Sequence, residues 1–350
     1  MLAMVKVYRY RVKSLNGLLN QQARAANFVW NFCRETQQHA LRLRKKWPSG
    51  FDLNVLTTGC SKELGLHSGT INAVCEQYAK SRTQFKRPLL RWRGRRSLGW
   101  VPLKGRDLKR AGDAFRHAGN TFRVFNSRAL PDGKIKDGTN FSCDARGHWF
   151  LNIVIELADV KPRAIETGVG IDLGLKDFAT LSTGEKIEAP RLYRALQARL
   201  GRVQRARKKR QAVNIHAKIG NARRDFLHKL STRMVTEFDY IAVGNVNAKA
   251  LTKTTMAKSV NDAAWSSFRN QLKYKAIAHG ATVEEVNEAW STQVCNVCGV
   301  LAGPKGRAEL NKRSWVCLCG VAHDRDVNAA RNILFRGSGH RTPAEGILAL

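Results

Sequence analysis

The opening run MVKVYRYRV alternates apolar and polar side chains, the period of a strand with one covered face. Between Asn20 and Arg44 the period changes. Ala26, Val29, Trp30, Cys33 and Leu41 recur at near-helical spacing and basic residues gather towards the end, so an amphipathic helix is predicted. A second helix is predicted over GTINAVCEQYAKSRTQFKR, with Ile71, Val74, Cys75, Tyr78 and Phe85 as its stripe and Lys80, Arg82, Lys86 and Arg87 flanking it. Beyond Pro88 the alternation returns in short runs such as NTFRVF and GHWFLNIVIEL. Trp149, Leu151, Ile153, Ile155 and Leu157 fall on one face there, as in a half-buried antiparallel strand. The simplest architecture is a β-barrel of residues 1–11 and 90–160 with a helical domain, 12–89, inserted.

After the linker ADVKPRAIETG the pattern becomes α/β, and residues 161–350 read as one further domain. Strands are predicted at GVGIDLG, FATLS and KIEA, then a very basic helical segment from Pro190 to about Phe238. The strand YIAVGN follows, then the helix NDAAWSSFRNQLKYKAIAHG ended by Gly280, the strand ATVEEVNEA, a cysteine-rich insert at 291–322 and a closing helix, DRDVNAARNILFRG. Three antiparallel strands followed by αβαβα is the order of an RNase H-like fold, whose crossovers make the last two strands parallel neighbours. The tail GSGHRTPAEGILAL, 337–350, has no packing pattern and is expected to be mobile.

Charge narrows the function. With 61 Lys+Arg against 27 Asp+Glu the net charge is +34, an excess whose usual use is phosphate neutralisation, so a nucleic-acid partner is expected. Arg91, Arg93, Arg95 and Arg96 interleave with Trp92 and Trp100, as on a surface that tracks a backbone and stacks bases. Arg205, Arg207, Lys208, Lys209, Arg210, Arg223 and Arg224 concentrate charge in the second half. No window approaches the roughly 18 apolar residues of a membrane span, and the expected location is the cytoplasm, without a membrane partner. Eight cysteines are then poor disulfide candidates. Cys33, Cys60, Cys75 and Cys143 are scattered and read as small core residues.

Candidate chemistry lies in three places. Asp172 sits inside an apolar strand, where a charge is costly without a partner, and a divalent metal suits it. Asp326 opens the last helix with Asp324 two residues earlier; either could cap the helix, and beside Asp172 the metal role falls to Asp326 and the cap to Asp324. Asn328 and Asn332 share one face of that helix and could contact backbone or phosphate. Two-metal phosphodiester hydrolysis needs acids on converging elements, so a third is expected. Cys295, Cys298, Cys317 and Cys319 read as a zinc ribbon. The second pair is CxC rather than CxxC, a spacing expected to strain the knuckle; His323 could replace a ligand, and a metal-free hairpin held by Trp315 is the alternative.

Together, GIDLGLKDFATLSTG, ARRDFLHKLST, STQVCNVCG, WVCLCG and HDRDVNAARNIL resemble the TnpB family, the RNA-guided nucleases of insertion-sequence transposons that are similar to ancestors of type V CRISPR effectors. The resemblance is strong from Gly168 to Leu334 and extends to layout alone in the N-terminal half. It implies a multidomain α+β protein. An OB-like wedge barrel carries a helical recognition domain, and a RuvC-type nuclease domain with an RNase H-like fold carries a zinc-binding target-loading insert. It also implies a guide RNA from the transposon end and a double-stranded DNA target beside a short transposon-associated motif. The expected assembly is a monomeric ribonucleoprotein, with a dimer as alternative, in the cytoplasm of a bacterial or archaeal host near its nucleoid. The family's first and last catalytic aspartates fall on Asp172 and Asp326, and its zinc cysteines on Cys295, Cys298, Cys317 and Cys319. The family usually ends the fourth strand with glutamate; Gly244, Asn245 and Val246 stand there instead. Either the chain binds RNA and DNA without cutting, or the acid has moved to the neighbouring strand. Of Glu284, Glu285 and Glu288, the last is nearest the strand end and is the expected third ligand of a two-Mg2+ site.

Overall fold

The computed structural model describes residues 4–157, 160–246, 263–305, 309 and 311–339. The chain divides into two compact units, residues 1–159 and 160–350.

In the first unit β1 (Met4–Arg11) precedes α1 (Asn16–Arg42), α2 (Gly50–Leu56), α3 (Ser61–Leu64) and α4 (Ser68–Gln84). Seven strands follow: β2 (Trp100–Pro102), β3 (Lys109–Ala111), β4 (Ala114–His117), β5 (Asn120–Arg123), β6 (Lys134–Ile135), β7 (Asn140–Cys143) and β8 (Trp149–Leu157). Among the described residues these strands form two antiparallel sheets. One has the order β1-β8-β7-β2 with β6 also on β8, the other the order β3-β4-β5, and an isolated bridge joins Val12 to Val124. The alternation read at Trp149, Leu151, Ile153 and Ile155 is the buried face of β8, packed with Tyr10, Phe122 and Phe141.

A second core lies between the helices, where Val29, Cys33, Leu53, Ile71, Val74, Cys75 and Tyr78 meet. Phe85, expected in that stripe, is 62% exposed because α4 ends at Gln84 and the chain turns away. All four scattered cysteines are free, Cys33 and Cys75 buried and Cys60 and Cys143 half-buried.

The second unit is built on a sheet of β9 (Gly168–Leu173), β10 (Asp177–Leu181), β11 (Lys186–Glu188), β12 (Tyr240–Gly244) and β13 (Thr282–Val286), in the order β11-β10-β9-β12-β13. β9, β10 and β11 are antiparallel, whereas β12 runs parallel to both β9 and β13. The basic segment is two helices, α5 (Leu192–Arg205) and α6 (Lys209–Glu237), and α7 (Trp265–His279) leads into β13.

Strand periodicity places Val169, Ile171, Ile241 and Val243 on one face, against Leu227, Met234, Phe268 and Leu272 of α6 and α7. Tyr240 and Ala242 face the other way and pack with Ile333 and Leu334 of the closing helix α8 (Arg325–Gly337). Gly170 shares that face. A Cβ there would stand 2.0 Å from the Ala330 carbonyl, so glycine is what lets α8 lie against the sheet. A two-stranded hairpin, β14 (Ser314–Val316) and β15 (Ala322–Asp324), precedes α8. Residues 340–350 of the tail and residues 306–308 and 310 of the cysteine-rich insert lie outside the described residues.

Candidate active site and metal centre

Asp172 lies two residues beyond Gly170 on β9, so it faces α8 near the carboxyl end of the parallel strands. Asp324 caps α8. Its Oδ1 accepts from the amides of Asp326 (3.0 Å) and Val327 (3.1 Å), and its other oxygen receives Lys186 Nζ at 2.6 Å. With the cap supplied, Asp326 is left for other partners, and Arg313 Nη1 reaches its two oxygens at 3.4 and 3.3 Å.

β13 ends at Val286, earlier than its sequence suggested, and pairs Gly244 with Val286. The chain then turns. Asn245 donates its amide to Val286 O (2.9 Å), and Glu288 comes back over the end of β12. A Cβ on Gly244 would stand 2.6 Å from Glu288 Oε2 and 3.5 Å from Glu288 Cβ, so Glu288 occupies the volume that a side chain at 244 would need. The other two glutamates are engaged elsewhere. Tyr240 donates its hydroxyl to Glu284 (2.8 Å), and Glu285 pairs with Lys273 (2.9 Å) and Arg269 (3.6 Å).

The charges of Glu288 and Asp326 act on Asp172. Burial is the main cause that pushes Asp172 up to about 7, and the negative charges of Glu288 and Asp326 add to it against the opposing pull of Arg325. Burial also raises Glu288, opposed by Arg269. A buried acid beside two further negative charges calls for a cationic partner, and divalent cations with oxygen preference suit carboxylate donors.

At the cysteine cluster, Cys295, Cys298, Cys317 and Cys319 bring their sulfurs within 4.8 Å of one another. Cys298 and Cys317 are 3.5 Å apart and Cys295 and Cys319 3.8 Å. A tetrahedral zinc with Zn–S of about 2.3 Å spaces its sulfurs by about 3.8 Å, so the set fits zinc. The short CxC spacing does not pull the pair apart, because each knuckle closes on its own glycine. Gly299 donates to Cys295 O (2.9 Å) and Gly320 to Cys317 O (2.9 Å), both glycines with positive φ. His323 stands 3.1 Å from Cys295 Sγ and stacks on Trp315 with centroids 4.5 Å apart. Asn328 and Asn332 contact backbone: both donate to Ser291 O and Val294 O at 2.7–3.1 Å, tying α8 to the first knuckle.

The candidate basic residues divide. Arg91, Arg95 and Arg96 are exposed, as are Arg205, Arg207, Lys208, Lys209 and Arg210 around the turn between α5 and α6, and Arg224. Arg223 is half-buried. Arg93 is taken up internally: Nε donates to Asn27 (2.6 Å), Nη2 to Leu98 O (2.8 Å), and the guanidinium lies 5.5 Å from the Trp100 ring. Trp100 in turn packs edge-on against Trp30, whereas Trp92 is exposed with the Arg34 guanidinium 4.1 Å from its ring. Arg269, which also donates to the carbonyls of Gly244 (3.3 Å) and Val246 (3.2 Å), and Arg313 were not picked out in the sequence. Nothing in their local spacing distinguishes them from the other basic residues.

Two family profiles match this chain. One described as "Probable transposase" (OrfB_IS605) covers residues 152–255, and one described as "Cas12f1-like, TNB domain" covers residues 265–333. A Streptomyces pristinaespiralis protein named "Putative RNA-guided DNA endonuclease" is 38% identical over 235 residues, 63% of this chain and 58% of that one. Escherichia coli (strain K12) "Putative RNA-guided DNA endonuclease InsQ" is 30% identical over 256 residues, 64% and 61%. "TnpB-like protein L79" of Acanthamoeba polyphaga mimivirus is 25% identical over 193 residues, 47% and 36%. The chain is similar to the TnpB family. It spans about three fifths of the length of the first two of these relatives. The solved structure described as "Cryo-EM structure of the Cas12f1-sgRNA-target DNA complex" aligns over 95% of this chain and 99% of its own at 14% identity, with a TM-score of 0.39. Within the TnpB-like region, the first profile spans Asp172 and Gly244, and the second spans Glu288, the four cysteines and Asp326.

Proposed function

We propose that this chain is an RNA-guided, divalent-metal-dependent DNA endonuclease of a transposable element, cutting double-stranded DNA beside a short transposon-associated motif. The observation that carries the reading is the replacement at Gly244. Glu288 occupies the volume that a side chain on Gly244 would need, and its charge acts on Asp172 together with that of Asp326, which supports Glu288 as the third acid. The strand order of the second unit suits an RNase H-like, RuvC-type domain with the site at the carboxyl end of its parallel strands. The first unit suits a wedge barrel with a helical recognition insert, and the cysteine module a zinc ribbon.

Asp172, Glu288 and Asp326 would hold Mg2+, which when bound supplies an activated water and neutralises charge on the leaving oxygen. The chain's own part is to hold Glu288 and Asp326 near enough to Asp172 for their charges to act on it. β9 fixes Asp172, the cap at Asp324 fixes the start of α8 and so Asp326, and the Gly244 gap fixes Glu288. Arg313 and Arg269 stand beside the outer two acids, where they limit mutual repulsion and could meet phosphate oxygens. The exposed arginines and lysines would follow RNA and DNA backbones while base pairing to the guide reads sequence.

The test is cleavage of a target plasmid by the protein co-expressed with RNA from its own locus. Asp172→Ala and Glu288→Ala should each lose more than about 100-fold in rate, the least expected for removing a group that contacts a metal, while Glu285→Ala keeps activity. Target binding without cleavage by the wild type would establish a nuclease-inactive, RNA-guided DNA-binding protein instead.

A further inference from the structure

Away from the acids and the cysteines, three metal-ligating side chains meet in the first unit. His67 is the N-cap of α4, Asp107 ends a 3-10 turn over Gly105–Asp107, and His117 closes β4; one ligand atom from each lies within 4.8 Å of the others. His117 is 3% exposed, and neither of its ring nitrogens has a hydrogen-bond partner. Asp107 Oδ2 is buried without one as well. Buried polar atoms are rarely left unmatched, and here one from the imidazole and one from the carboxylate lie close together.

The remaining contacts sharpen the point. His67 Nδ1 lies 3.2 Å from the Gly69 amide nitrogen and 3.4 Å from Asp107 Oδ2, so the histidine and the carboxylate face each other directly. The rings of His67 and His117 lie edge to face, centroids 5.4 Å apart. Gly69 keeps the space open: a Cβ there would stand 2.1 Å from Asp107 Oδ2.

We propose that His67, Asp107 and His117 form a binding site for a divalent transition-metal ion of the zinc type. Two imidazoles and one carboxylate leave a fourth position for water, the composition of a three-ligand zinc site. The ion joins the start of α4, whose Ile71 and Val74 belong to the helical core, to β4, whose Phe115 belongs to the core of the strands. It is therefore a staple between the two cores of this unit.

Co2+ added to the full-length chain tests this, in an Asp172→Asn background that weakens the carboxylate cluster. The chain should take up one equivalent beyond the thiolate site, with d–d absorption but no sulfur-to-cobalt charge transfer. His117→Gln and Asp107→Asn should each lose that equivalent while the thiolate bands and the far-ultraviolet circular dichroism stay unchanged. Saturation of the His117-intact chain at the thiolate site alone overturns the proposal, whether or not the variants fold. So does an unchanged equivalent in both folded variants.

Discussion

Asp172→Asn should make the metal-free protein more stable while abolishing cleavage. A carboxyl raised from its ordinary 3.8 to about 7 binds more protons folded than unfolded across that window. Its contribution to stability therefore falls as pH rises from about 4 to about 7, and the full cost stands above 7. At about 1.4 kcal/mol per pH unit the cost reaches at most about 4 kcal/mol, and residual water contact at this half-buried side chain lowers it. Asparagine keeps the shape and removes the charge. With EDTA at pH 8 the variant should unfold about 2–4 kcal/mol later, several degrees in a unit of this size, whereas at pH 4 the two proteins should coincide. Mg2+ binds the ionised carboxylates, so it should restore the wild type towards the variant and leave the variant nearly unmoved. Thermal unfolding followed by circular dichroism at both pH values, with and without Mg2+, is the assay. A gain of equal size at pH 4 and pH 8, or a loss at pH 8, would refute the argument that the ionised, buried Asp172 costs stability.

Gly244→Ala brings a methyl to 2.6 Å from Glu288 Oε2 and displaces that carboxylate, so it should cut cleavage sharply with little change in melting temperature; plasmid cleavage and calorimetry read the two. Gly244→Glu in a Glu288→Ala background should regain part of the lost cleavage, since either strand end can supply the acid; no recovery would mean that the two positions are not equivalent. Cys317→Ser should release zinc, measured by metal analysis, and expose the insert to protease between β14 and α8. Asn332→Leu leaves Ser291 O and Val294 O each short of a donor and should cost about 1–3 kcal/mol in chemical denaturation, less if Asn328 compensates.

Local spacing determined much of this protein. The alternation at Trp149–Leu157, the apolar strand around Asp172, the caps before α8 and the paired cysteines could all be read in the sequence, because each is a contact or a period within a few residues. The expected parallel pairing narrows the candidate third acid to one strand, and Glu288 stands nearest that strand's end. Only the tertiary structure decided what each glutamate touches, because that depends on the Gly244–Val286 register, on the turn after β13 and on a tyrosine and two basic side chains that occupy Glu284 and Glu285. The same holds for Arg93, which reads as a surface cation in its basic run and is held instead by Asn27 and two tryptophans. It holds for His67, Asp107 and His117 too. Far apart along the chain, they carry no spacing signal, and they meet because α4 and β4 pack around one 3-10 turn. Periodicity reports which face of an element is covered; which side chains meet across that face is set by how elements distant in sequence pack together.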